Sequence, residues 1–215
     1  MGAFRHLDLL LARYPSLEGC REEIVRAYEL LSASYANGGK LLVCGNGGSA
    51  ADSEHIVGEL MKGFCLPRPL CPEAARALRA VDEGLGSFLA EHLQASLPAL
   101  SLTGQTALST AFQNDVAPEL AFSQQVCGYG RVGDTLLGIS TSGNSRNVLF
   151  AAVTAKSRGM NVIGLTGAAE SRLSQFSDVC IRVPRTETYQ VQELHLPVYH
   201  CLCLMLEERF FGEGV

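Results

Sequence analysis

Five short apolar runs, alternating with stretches of helical periodicity, constrain this chain more than any other feature. They are 40–44, 99–102, 135–139, 161–165 and 179–183. Each is continuously apolar rather than alternating, the signature of strands buried on both faces of a parallel sheet. The segments between them, such as 118–129 and 147–156, place apolar residues at helical spacing. Strand and helix in alternation predict an α/β fold with a doubly wound, mainly parallel five-stranded sheet flanked by helices. Helices are also expected at both ends: 17–37 carries Ile24, Ala27, Leu30 and Leu31 on one face before Gly38-Gly39, and 190–211 is so apolar that it is expected to pack on another subunit.

The chain reads as one domain over 1–215, with N-terminal helices over 1–38 and an insertion over 65–98. That insertion is longer than an ordinary crossover, opens with Pro67, Pro69 and Pro72, and continues as one helical run from Glu73 to Leu93. A chain of this length, 47% hydrophobic, buries enough surface to fold without disulfides or structural metal. Seventeen Lys and Arg against 22 Asp and Glu give a net charge of −5, which argues against nucleic acid and membrane as partners and for small molecules. Of eight cysteines, Cys44, Cys127, Cys180 and Cys201 lie in apolar runs and are expected in the core, with Cys201 and Cys203 on opposite sides of a helix. With no CxxC, no signal-peptide pattern in 1–8 and no membrane-length apolar run, the expected setting is the cytoplasm.

Three groups of residues carry chemistry. Gly45-Asn-Gly-Gly-Ser49 follows the first strand and opens a helix over 49–63. It matches a dinucleotide fingerprint loosely, but no acidic residue ends a second strand about 20 positions on, so the nicotinamide reading is disfavoured. Ser140-Thr-Ser-Gly-Asn-Ser145 follows the third strand. Four hydroxyls, a glycine and the free N–H groups of a helix N-terminus form a cradle for a phosphate monoester, although a turn that merely caps the helix is the plainer alternative. His55 and Glu59, four apart on one helix face, are joined in the sequence by Gln192-Glu-Leu-His195 and His200. Such a set could hold a divalent metal with an open position, or serve as base and acid.

Taken together, Gly45 to Ser49, His55-x-x-x-Glu59, Asn114-Asp115, Ser140 to Ser145 and Gln192-Glu-x-His with His200 resemble the sugar isomerase (SIS) domain, specifically the phosphoheptose isomerases, over about residues 20–211. The resemblance implies a homotetrameric, zinc-containing cytoplasmic enzyme that interconverts sedoheptulose 7-phosphate and D-glycero-D-manno-heptose 7-phosphate through an enediol(ate). It implies zinc on His55, Glu59, Gln192 and His200, with Glu59 as general base and His200 as general acid. Substrate contacts would come from Asn46, Gly47, Gly48, Ser49, Glu59, Asn114, Asp115, Ser140, Thr141, Ser142, Ser145 and Gln192. Two departures bear on the substrate: Tyr189 stands where the family carries Asp, and the 65–98 insertion could cover the site. A non-catalytic SIS regulator of replication initiation and an isomerase for another phosphosugar are the alternatives. Finally, Pro197 between Gln192 and His200 predicts a bend, or a helix that starts there.

Overall fold

The structure, a computed structural model, describes residues 2–212. Five parallel strands form one sheet in the order β2-β1-β3-β4-β5: β1 Leu41–Cys44, β2 Ala99–Ser101, β3 Thr135–Ile139, β4 Asn161–Thr166 and β5 Val179–Arg182. All four residues of β1 and all five of β3 are buried, as expected of strands covered on both faces.

From β1 the chain crosses to β2 on one side, and from β3 to β4 on the other. Neighbouring strands whose connections diverge leave a crevice at their C-terminal ends, where ligands of open α/β sheets bind. β1 leads into α3 (Gly48–Met61) and β3 into α8 (Arg146–Ser157), so both sequence loops stand at this crevice.

Two cores flank the sheet. One lies under α1 (Phe4–Arg13), α2 (Arg21–Ala36), α3 and α10 (Thr188–Phe211); the other lies under α7 (Ala121–Tyr129), α8 and α9 (Arg172–Phe176). α10 buries residues around most of its circumference, among them Leu194, Val198, Cys201, Leu202 and Met205, and leaves a more open face along Glu193, Leu196 and His200. Its apolar faces must be covered. This chain's own α1, α2 and α3 provide that cover. The same enclosure buries Cys201 and Cys203 together, although they project differently. Cys127 departs from expectation in the other direction: it is exposed on the outer side of α7, and Cys180 is only half-buried.

The helical run expected over 73–93 is two helices, α4 (Pro72–Val81) and α5 (Glu83–His92). Asp82 is extended and its side chain accepts from the Leu85 N–H, capping α5 and ending α4. The pair packs chiefly on itself and leaves Val81, Leu85 and Phe88 exposed. An isolated bridge between Pro69 and Gln94 and a bond from the Gly63 N–H to Gln94 Oε1 (2.6 Å) tie its base.

Candidate active site

Both crevice loops are built so that backbone comes close to whatever they hold. Gly47 has a positive φ of 56° as the chain turns from β1 into α3, and a Cβ on Gly48 would overlap the Gln192 carboxamide. Gly143 has a φ of 64°, a Cβ there would strike Ser171, and its N–H bonds to the Ser140 carbonyl (3.0 Å) and hydroxyl (3.1 Å). Ser140 and Ser145 hydroxyls lie 3.1 Å apart. Ser145 precedes α8 yet makes no side-chain cap, so the hydroxyl and the first N–H groups of the helix are not spent on each other. That favours an anion cradle over a capping turn.

A cavity of about 320 Å³ lies between the loops, lined by Asn46 to Ser49, by Ser140, Thr141 and Ser145, and by Thr188 and Gln192 of α10. Asn46 and Asn147 exchange reciprocal amide hydrogen bonds of 2.9 and 2.8 Å, which lock the first loop to the start of α8. Ser142 is exposed and its hydroxyl accepts from the Asn144 N–H. Asn114 and Asp115 are not brought here. They end α6 (Thr106–Asp115), exposed and bonded to each other at 2.7 Å, while Ser109 and Gln113 of that helix line a neighbouring cavity with Asn46 and Gly47.

The titratable group sits further down the same flank. α3 and α10 run parallel: Gln192 lies against Gly48, Tyr199 bonds to Asp52 and His55, His200 meets His55, and Glu207 binds the chain just past α3. His55 Nε2 is 3.3 Å from Glu59 Oε1 and 3.5 Å from His200 Nε2, and Glu59 Oε2 is 3.1 Å from Lys62 Nζ. Burial, and then the nearby His55, hold the His200 imidazole below its ordinary pKa. α10 passes Pro197 without interruption, so the helix does not start there. Proline removes one N–H, and the helix continues past it to Phe211. The eight residues from Gln192 to His200 therefore keep an axial rise of about 12 Å, with Gln192 level with the phosphate cradle and His200 level with His55.

Among the described residues, no three His, Cys, Asp or Glu side chains form a ready-made metal cluster. The donor chemistry nevertheless fits a zinc ion. Two imidazole nitrogens and a carboxylate oxygen approach at 3.3 and 3.5 Å, close to the ~3.3 Å edge of a tetrahedron with bonds of 2.0–2.1 Å.

Beneath this group, buried Arg68 donates to the carbonyls of Glu59 (3.1 Å) and Leu60 (2.8 Å) and pairs with buried Glu207 of α10 at 2.7 Å. Glu207 also accepts from the N–H groups of Phe64, Cys65 and Leu66. Burial alone would raise the Glu207 carboxyl, but these N–H donors and Arg68 outweigh it and hold it below the usual range. Nothing in the sequence pattern marks Arg68, Glu207, Asp52, Tyr199 or Asn147, whose roles depend on the register of α3 against α10 and of the two loops.

A parallel sheet carrying a glycine loop and a hydroxyl loop at its switch point has the construction of the sugar isomerase domain. Two SIS domain family models match, over residues 100–204 and 14–83. The phosphoheptose isomerase of Rhodospirillum rubrum is 41% identical over 192 residues, 89% of this chain and 88% of that protein. Among solved structures, the phosphoheptose isomerase of Neisseria gonorrhoeae aligns with a TM-score of 0.73 and 34% identity, over 95% of this chain and 96% of that one. The enzyme from Francisella tularensis aligns with a TM-score of 0.71 and 30% identity, over 94% and 98%. The chain belongs to the phosphoheptose isomerase family of SIS-domain proteins.

Proposed function

We propose that this protein is an aldose–ketose isomerase that interconverts sedoheptulose 7-phosphate and D-glycero-D-manno-heptose 7-phosphate. The observation that carries this is the pairing of an uncharged phosphate cradle, Ser140, Thr141 and Ser145 at the head of α8, with the carboxylate and imidazole group on the α3–α10 flank. The cradle takes the phosphate on neutral donors and the helix N-terminus, which suits a metabolite that is bound and released.

Glu59 takes a proton from C1 beside the C2 carbonyl, leaving an enediolate with its charge on O2. His200, neutral because its pKa is held down and with Nε2 turned to the metal space, acts as general acid: its Nδ1–H goes to O2 and the O1 proton replaces it. Protonated Glu59 then returns its proton to C2 while O1 closes to the aldehyde carbonyl. Proton count and charge balance, and both side chains end as they began. His55, Glu59 and His200 are the residues that would hold zinc, and Gln192, about 12 Å along α10 from His200, would join them only from another copy of the chain. When bound, the ion supplies Lewis-acid stabilisation of the oxyanion. Gln192 and Asn46 to Ser49 orient the sugar chain, while Asn114, Asp115 and Ser142, exposed in the single chain, would reach it only after movement or association.

We further propose a homotetramer. The cysteines of this chain are all free, in keeping with a reducing cytoplasm, and no described helix is long and apolar enough to cross a membrane. Incubation with ketose phosphates of five to seven carbons and identification of the products tests the substrate. The seven-carbon phosphate should be turned over best; preferential turnover of a five-carbon phosphate would overturn the assignment.

A further inference from the structure

Tyr199 stands between two polar side chains of α3. Its hydroxyl oxygen is 3.1 Å from Asp52 Oδ1 and 3.1 Å from His55 Nδ1, and the residue is 1% exposed. Its ring meets the His55 and His200 rings edge-on, with centroids 5.6 and 4.9 Å away. A phenol has one proton to give, and an ionised carboxylate has none. If the hydroxyl pointed at His55, Asp52 would face the phenol oxygen lone pairs with no donor between them. The hydroxyl therefore donates to Asp52, and the His55 contact is filled by the imidazole Nδ1–H donating to the phenol oxygen.

We propose that Tyr199, backed by Asp52, is a positioning residue that commits the His55 proton to Nδ1 and aims the Nε2 lone pair at the space shared with Glu59 and His200. This rests on the isomerase reading above, in which that space receives a divalent cation. The Nε2 lone pair then faces a carboxylate oxygen 3.3 Å away, with the His200 Nε2 3.5 Å away beside them, an opposition of acceptors that a cation relieves. Hydrogen bonds to the far nitrogen of a ligand histidine fix its tautomer and orientation, and their loss commonly weakens metal binding 10- to 100-fold. Here a buried phenol does this, with the carboxylate one step behind it.

Tyr199→Phe removes the hydroxyl and keeps the ring. In the full-length chain stripped of metal, we expect zinc affinity, measured by competition with a chromogenic chelator, to fall at least tenfold. In the histidine-labelled chain, long-range ¹⁵N–¹H spectra should find the His55 Nδ1–H form in the wild type and a mixture of tautomers in the variant, with the His55 signals assigned from His55→Gln. Zinc affinity within twofold of wild type would overturn the inference, and so would a loss of affinity with an unchanged His55 tautomer, since the phenol would then act through packing. A wild type that binds no divalent ion would overturn the metal site and this inference together. A wild type that binds zinc and a variant that binds it equally well would overturn the inference alone. Should the Phe variant fail to fold, Asp52→Asn serves: its amide can donate to the phenol, turn the hydroxyl proton toward His55 Nδ1 and raise the share of the Nε2–H form.

Discussion

At the scale of single residues, the two histidines of α10 differ in kind. His200 is half-open beside His55, whereas His195 is fully buried and neither ring nitrogen completes a hydrogen bond. Burial pushes the His195 pKa down to about 4, and the Thr166 backbone, close by, opposes this only in part. The unfolded chain, with an ordinary imidazole near ~6.5, binds a proton that the folded one refuses between those values, so stability must fall as pH drops through that window. The full loss is roughly 3 kcal/mol at 1.36 kcal/mol per unit. Denaturant melts at intervals from pH 7 to 4.5 should reveal the slope, and His195→Leu should flatten it; an unchanged slope would assign it to other groups. For Glu59, Glu59→Gln keeps the shape and removes the proton acceptor. We expect turnover to drop by ~10²–10⁴ with an unaltered melting temperature. A loss under tenfold would mean that another group carries the proton.

At the scale of elements, the end of α3 is held by a buried ion pair rather than by apolar packing alone. Removing one partner of such a pair leaves a charge uncompensated, at a cost of about 3–5 kcal/mol. Glu207→Gln should therefore destabilise the fold by that order at pH 7, and Arg68→Met in the same chain should recover part of the loss. Because the Glu207 pKa is lowered on folding, its contribution is complete above the ordinary glutamate range and disappears as pH falls through the depressed value. A Glu207→Gln chain with wild-type urea stability would contradict this account.

The same elements mark what a sequence can tell. Buried parallel strands are short and continuously apolar, so all five were legible, and the loops after β1 and β3 announced themselves through glycine and serine. The division of α4 from α5 was legible in principle, since Asp82 followed by Glu-Gly is an N-cap signature, but the unbroken apolar periodicity on both sides masks it. Cys127 misleads because an apolar run on a surface helix has an outer face. Asp52, Tyr199, Arg68 and Glu207 could not be read at all: each matters through a partner between 139 and 147 residues away, and only the parallel register of α3 and α10 joins them.

At the scale of the whole molecule, distance along α3 becomes the deciding quantity. Gly48, at the phosphate cradle, and Glu59 are eleven residues apart on one helix, about 16 Å along its axis. An extended seven-carbon sugar with its phosphate is shorter than that, so a chain acting alone strains to present its own base to a substrate held in its own cradle. Association relieves the strain if the flank of one copy faces the cradle of another, and closed symmetric oligomers allow every copy to be used this way. A cavity of about 220 Å³ beside His200, bordered by His6, Arg13 and Leu196, leaves that flank open to such a neighbour. Two inactive variants then become complementary. Glu59→Gln retains the cradle, and the double variant Ser140→Ala with Ser145→Ala retains the base. Mixed at equal amounts and allowed to exchange subunits, they should regain up to about a quarter of wild-type activity, the chance that an intact cradle meets an intact base. No activity beyond the sum of the separate variants, with exchange confirmed by mass, would place the whole reaction within a single chain.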